Sequence, residues 1–142
     1  FGQWSDTLLN EARSAIPQST CGDHVNERGI EFVYYNKDPD FQSVEMLTQI
    51  HDSIDFQMPL SVSLSVHARV LSKIRNSLES PLRFKDQEFV VPADLTIGTC
   101  LNKELGKELG LELKGDKFPR DLTLLEGILR DAVVKLGLGS YV

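Results

Sequence analysis

Asp52 lies in the tripeptide His51-Asp52-Ser53, a short polar step between two apolar runs, Val44 to Ile50 and Ile54 to Met58. In the second run Ile54, Phe56 and Met58 alternate with Asp55 and Gln57, the period of two that a half-buried strand requires. Two strands so closely joined predict a tight hairpin with a carboxylate at its tip. A carboxylate placed there projects from a rigid support. It can ligate Mg²⁺, which takes one or two carboxylates together with waters and phosphate oxygens in an octahedron. Two such ions, about 3.5–4 Å apart, activate an attacking hydroxyl and stabilise a leaving oxygen in phosphoryl transfer. By itself the tripeptide reads more simply as an Asx turn beside a surface histidine. The surrounding chain has to decide between the two.

The elements that would position this turn follow from periodicity. Ser5 to Ile16 reads as a helix capped by Ser5 or Asp6, with Leu8, Leu9, Ala12 and Ala15 on one face. Pro17 interrupts it. A second helix is expected from about Ser19 to Tyr35, with Val25, Gly29, Phe32 and Val33 on one side and Gly22 and Gly29 permitting close backbone approach. A polar loop, Asn36 to Gln42, leads into the hairpin. Pro59 ends the second strand, and Ser61 or Ser63 opens a helix that reaches about Ser80. On it Val62, Val66, Val70 and Ile74 recur every four residues beside Leu64, Leu71 and Leu78. Glu88 to Ile97 reads as an edge or bulged strand interrupted by Pro92. Beyond Thr99, a Lys/Glu/Leu-rich stretch from Asn102 to Leu113 predicts a helix, Lys114 to Pro119 a turn, and Asp121 to Leu136 a final amphipathic helix. The class is α+β, in the order helix, helix, hairpin, helix, strand, with a helical tail.

The chain has 142 residues, which suits one domain with its own core. No apolar run approaches the roughly 20 residues that cross a bilayer, so no membrane is expected as a partner. The N-terminus lacks a basic segment followed by an apolar one, which argues against a signal peptide. Cys21 and Cys100 belong to no disulfide framework or Cys/His metal pattern and read as reduced thiols in a cytoplasmic protein. The formal net charge of −6 argues against an extended nucleic-acid surface within these residues, since such surfaces are basic.

Three segments resemble one family. Leu47 to Phe56, with Gln49-Ile50-His51-Asp52-Ser53 at its centre, is similar to the third motif of the family A DNA polymerases, the bacterial polymerase I type, where a strand, Gln-Val-His-Asp-Glu and a second strand follow one another. Glu11 to Asp23, with Arg13, Pro17, Gln18 and Thr20, resembles the segment that opens a long helix of the palm domain. Val91-Pro92 to Gly98 resembles a strand near that family's C-terminus. The three occur in the family's order and cover roughly residues 4 to 105. The resemblance implies residues 1–105 as the C-terminal segment of a palm and residues 106–142 as a helical C-terminal extension.

It further implies roles by position. Asp52 would be one of two metal-binding aspartates, with Mg²⁺ as cofactor, and His51 would lie near the primer terminus. Gln18 would reach the minor groove of primer-template DNA, where acceptors occupy similar places in every base pair. Arg13 and Ser14 take the places of the family's arginine and asparagine, and are expected to contact DNA as well. Partners would be primer-template DNA, dNTP and the remaining polymerase part, either upstream in the same chain or a separate subunit, in the cytoplasm of a bacterium or of a phage-infected host cell.

The sequence also departs from the pattern. Ser53 stands where the family has glutamate, Ser14 where it has asparagine, and Ser19 where it has glycine. The second catalytic aspartate and the fingers residues that hold the nucleotide have no counterpart here. By themselves these residues are expected to be inactive, as one subunit of a polymerase in two parts or a fragment of a longer chain. Phe1 in place of an initiator methionine fits a processed or partial chain. The alternative is a non-catalytic interaction domain derived from a palm, favoured by Ser53 and by the last helix. A third reading is an unrelated α+β binding module.

Overall fold

A computed structural model of the chain describes residues 20–50, 52–84, 86–100 and 110–141. The expected first helix, Ser5 to Ile16, lies outside them. Residues 20–34 form one helical run, α1, whose middle, Asn26–Glu31, is wound as a π-helix. Val25, Gly29 and Val33 are its buried residues, four apart on one face. Gly29 is there for space. A Cβ at this position would stand 3.2 Å from Leu78 Cδ2 and 3.3 Å from Ile54 Cδ1, inside ordinary contact distance. The missing side chain lets α1 approach both the hairpin and the next helix.

Asp38 caps a short 3-10 turn, Pro39–Phe41, by accepting from the Asp40 N–H. Phe41 is buried and meets Phe32 edge-on, with ring centroids 5.6 Å apart. Strands β1 (Glu45–Ile50) and β2 (Ser53–Gln57) then pair antiparallel, as the alternation predicts. Helix α2 (Leu64–Leu78) follows and is the central element. It buries two faces. Val70, Ile74 and the partly buried Val66 and Leu78 join Val33, Phe41, Met46, Ile54 and Phe56 in one cluster. Leu64, Ala68 and the partly buried Leu71 join a second cluster with Leu113, Phe118, Leu125, Leu129 and Val133. Full burial of a residue such as Val70 is worth about 1.5–3 kcal/mol.

Two expectations need correcting. The strand expected over Glu88 to Ile97 is two strands in different sheets. Here β3 (Leu82–Phe84) pairs with β4 (Gln87–Phe89), while β5 (Leu95–Ile97) pairs with β6 (Leu111–Leu113). Pro92 lies in the gap, where it can donate no ladder hydrogen bond, and the next N–H, of Ala93, goes instead to Glu79 Oε1 at 3.1 Å. The β3–β4 hairpin turns through Asp86, whose φ of 64° is tolerated by aspartate better than by most residues. The second correction concerns the helix expected over Asn102 to Leu113. Its last three residues are β6; residues 101–109 lie outside the described set. Leu111-Glu112-Leu113 satisfies a period of two as readily as a helical one. Pairing with β5 sends Leu113 into the core.

The last helix, α3 (Leu122–Lys135), begins at Asp121, whose carboxylate accepts from the N–H groups of Thr123 and Leu124. It ends in a Schellman motif: Gly137 has a φ of 73°, Gly137 N–H bonds the Val134 carbonyl and Leu138 N–H that of Val133. The second cluster thus joins α2 to Leu113, Phe118 and α3, with α3 packed on α2. Among the described residues the fold is α+β, with three helices and three two-stranded antiparallel sheets. None of the helices is long and apolar enough to cross a membrane.

Candidate functional site

The hairpin owes its order to one face. An isolated two-stranded ribbon is marginal in water, but Met46, Ile54 and Phe56 anchor this one on α1 and α2. Its register pairs Met46 with Phe56, Thr48 with Asp55, Gln49 with Ile54 and Ile50 with Ser53, with an irregularity at Leu47. The last pair, Ile50 with Ser53, places Asp52 at the turn. The opposite face carries Thr48, Asp55, Ile50, Ser53, Glu45 and Gln57, and the last two are joined by a hydrogen bond from Gln57 Nε2 to Glu45 Oε2 at 2.6 Å.

Asp52 is exposed at the tip, and no hydrogen bond or ion pair engages its carboxylate among the described residues. Ser53 turns its hydroxyl back across the loop and donates to the Ile50 carbonyl at 2.8 Å. His51, Gln18, Arg13 and Ser14 lie outside the described residues. Of the five expected site residues, Asp52 is the one that lies among the described residues.

Asp38, Asp40 and Glu79, beside α2, are engaged in ion pairs. Asp40 receives Arg69 Nε at 2.9 Å and Lys73 Nζ at 3.1 Å. The Arg69 hydrogen bond and then that of Lys73 lower its pKa to about 2. The Lys73 hydrogen bond and the Asp40 N–H likewise hold Asp38 below the usual carboxylate range. Glu79 accepts from Arg75, Arg120 and the Ala93 N–H. Burial pushes its pKa up, but these three donors outweigh burial and leave it below its ordinary value. Arg75 also donates to the Phe118 carbonyl and lies 4.2 Å over the Phe118 ring. These groups are structural ties between α2 and its neighbouring loops. The Arg75/Glu79 pair was legible as an i,i+4 spacing; the partners from residues 93, 118 and 120 were not.

The histidines of the helices also make local contacts. His24 Nε2 donates to the Leu78 carbonyl at 2.6 Å, and His67 Nδ1 donates to the Ser63 carbonyl at 2.9 Å. No group of three or more His, Cys, Asp or Glu side chains suited to a metal ion occurs among the described residues. Asp52 offers one exposed carboxylate at the turn of the β1–β2 hairpin. That fits a single ligand of a magnesium site whose other ligands come from elsewhere. No protein-family model matches the chain, and neither the curated proteins nor the solved structures returned a match.

Proposed function

We propose that this chain is part of a DNA-directed DNA polymerase and supplies Asp52 as one Mg²⁺-binding carboxylate for nucleotidyl transfer. The observation that carries the reading is Asp52, exposed and unengaged among the described residues, at the turn of a hairpin that packs one face on two helices. It stands beside the ordered resemblance of three segments to the palm of family A polymerases. Magnesium, when bound, would polarise the attacking hydroxyl and the phosphate oxygens. The chain's own part is to hold the Asp52 carboxylate at a constant position, so that little reorganisation is needed at the moment of reaction. By position, His51 belongs near the primer terminus, and Gln18, Arg13 and Ser14 against primer-template DNA. The incoming dNTP and the second aspartate belong to the remaining polymerase part. The compartment implied is the cytoplasm of a bacterial or phage-infected cell.

The test is primer extension with Mg²⁺ by this chain together with the polymerase part that co-purifies with it. Asp52→Asn keeps the shape of the side chain and removes its charge. The expected outcome is a loss of at least about a hundredfold in rate, the scale on which removal of a preorganised electrostatic contact acts. Unchanged extension refutes the assignment.

One observation favours the second reading, a non-catalytic interaction domain derived from a palm. The position after Asp52 carries a hydroxyl bonded to backbone rather than a carboxylate. Under that reading a complex forms and Asp52→Asn has no effect on any activity of it.

A further inference from the structure

Ser53 has a feature that the comparison with a glutamate motif does not anticipate. Its hydroxyl is committed to the Ile50 carbonyl at 2.8 Å. Ile50 and Ser53 are also the last paired residues of the ladder, so this bond spans the base of the loop that carries Asp52. Two-residue hairpin loops are favoured by Asn-Gly or Asp-Gly, whose backbones enter the required conformations at low cost. His51-Asp52 contains no glycine. A side-chain clamp at the base of a turn without glycine has something to add.

The chemistry of the clamp is specific. A serine hydroxyl donates one proton, and the Ile50 carbonyl accepts it. A glutamate in ionised form has no proton to give and could not make this bond. The same position that would hold a second acidic group thus holds a group that fastens the first. Asp55, the nearest acidic residue along β2, pairs with Thr48 two steps farther from the tip and leaves the loop to Ser53.

We infer that Ser53 is a positioning residue, which locks the Ile50–Ser53 base of the turn and thereby fixes where Asp52 presents its carboxylate to Mg²⁺. This rests on the polymerase reading of Asp52. It assigns to Ser53 the gain of a rigid aspartate in place of an auxiliary carboxylate.

The experiment compares wild type, Ser53→Ala, Ser53→Thr and Asp52→Asn in the assembled polymerase. Extension rate is titrated with Mg²⁺, and the carbonyl ¹³C shift of Ile50 is read by NMR on the same proteins. Ser53 is exposed, so these substitutions leave the core intact. Ser53→Ala is expected to move the Ile50 carbonyl resonance and to raise the Mg²⁺ concentration for half-maximal rate about three- to tenfold, the scale of one lost hydrogen bond. At saturating Mg²⁺ most of the rate returns. Ser53→Thr retains the donor and restores both readouts. The positioning role is overturned if Ser53→Ala leaves the Mg²⁺ midpoint in place while Asp52→Asn abolishes extension, or if Ser53→Thr behaves as Ser53→Ala. If Asp52→Asn has no effect, the polymerase reading itself falls, and this inference with it.

Discussion

Replacing Leu125 by alanine tests whether α3 belongs to the same folding unit as the hairpin. Leu125 is 1% exposed and lies in the cluster formed with Leu64, Ala68, Leu113, Phe118, Leu129 and Val133. Truncation removes most of an apolar side chain and leaves a cavity that surrounding side chains fill only in part. Such changes cost about 2–5 kcal/mol, and a site walled by two helices, a strand and a buried phenylalanine belongs in the middle of that range, about 3 kcal/mol. A domain holds about 5–15 kcal/mol in total, so this is a large share. At about 2–4 °C per kcal/mol for a chain of this size, the melting temperature should fall by about 6–12 °C. The control is Val134→Ala on the same helix, where Val134 is 68% exposed and the expected change is within about 0.5 kcal/mol. Urea unfolding followed by circular dichroism measures both, with the midpoint shifting and the slope unchanged. Because α2 supplies residues to both clusters, one cooperative transition is expected. A Leu125→Ala cost no larger than that of Val134→Ala would refute the packing argument. A shift confined to a separate second transition would refute the shared core.

Gly29→Val should destabilise by about 1–3 kcal/mol, because its Cβ alone would stand 3.2 Å from Leu78 and 3.3 Å from Ile54; a stability within 0.5 kcal/mol (roughly the noise of surface changes) would show that α1 has room to shift. Asp40 predicts a pH dependence. Its folded-state pKa is lowered from 3.8 to about 2, so its contribution is full above the unfolded value and is lost as the pH falls through that window. Asp40→Asn should therefore be less stable than wild type at neutral pH, and the gap should close as the pH falls from about 4 toward 2. A gap that is constant across that range would mean that the Arg69 and Lys73 contacts do not discriminate the charged form.

Several elements were legible without coordinates because their determinants are local. The alternation of Ile54, Phe56 and Met58 places β2, and the four-residue recurrence of Val66, Val70 and Ile74 places α2. Asp121 marks the start of α3. Gly29 was readable as a point of close approach, although the side chains it admits were not. The Asp52 carboxylate at a hairpin tip was likewise readable from the apolar runs on either side.

What the sequence did not settle depends on partners far along the chain. Leu111-Glu112-Leu113 is compatible with a helix or a strand, and pairing with β5 decides it. Pro92 signals an interruption, but only the tertiary fold sends the strands on its two sides into different sheets. The two faces of α2 look alike in sequence, and they separate because one meets the hairpin and the other meets α3. The Ser53 clamp has the same cause. A serine beside an aspartate carries no instruction by itself; the antiparallel register brings the Ile50 carbonyl within reach of its hydroxyl. Local periodicity determines which segments can be helix or strand, while contacts between distant segments determine which of those possibilities lowers the free energy of the whole chain.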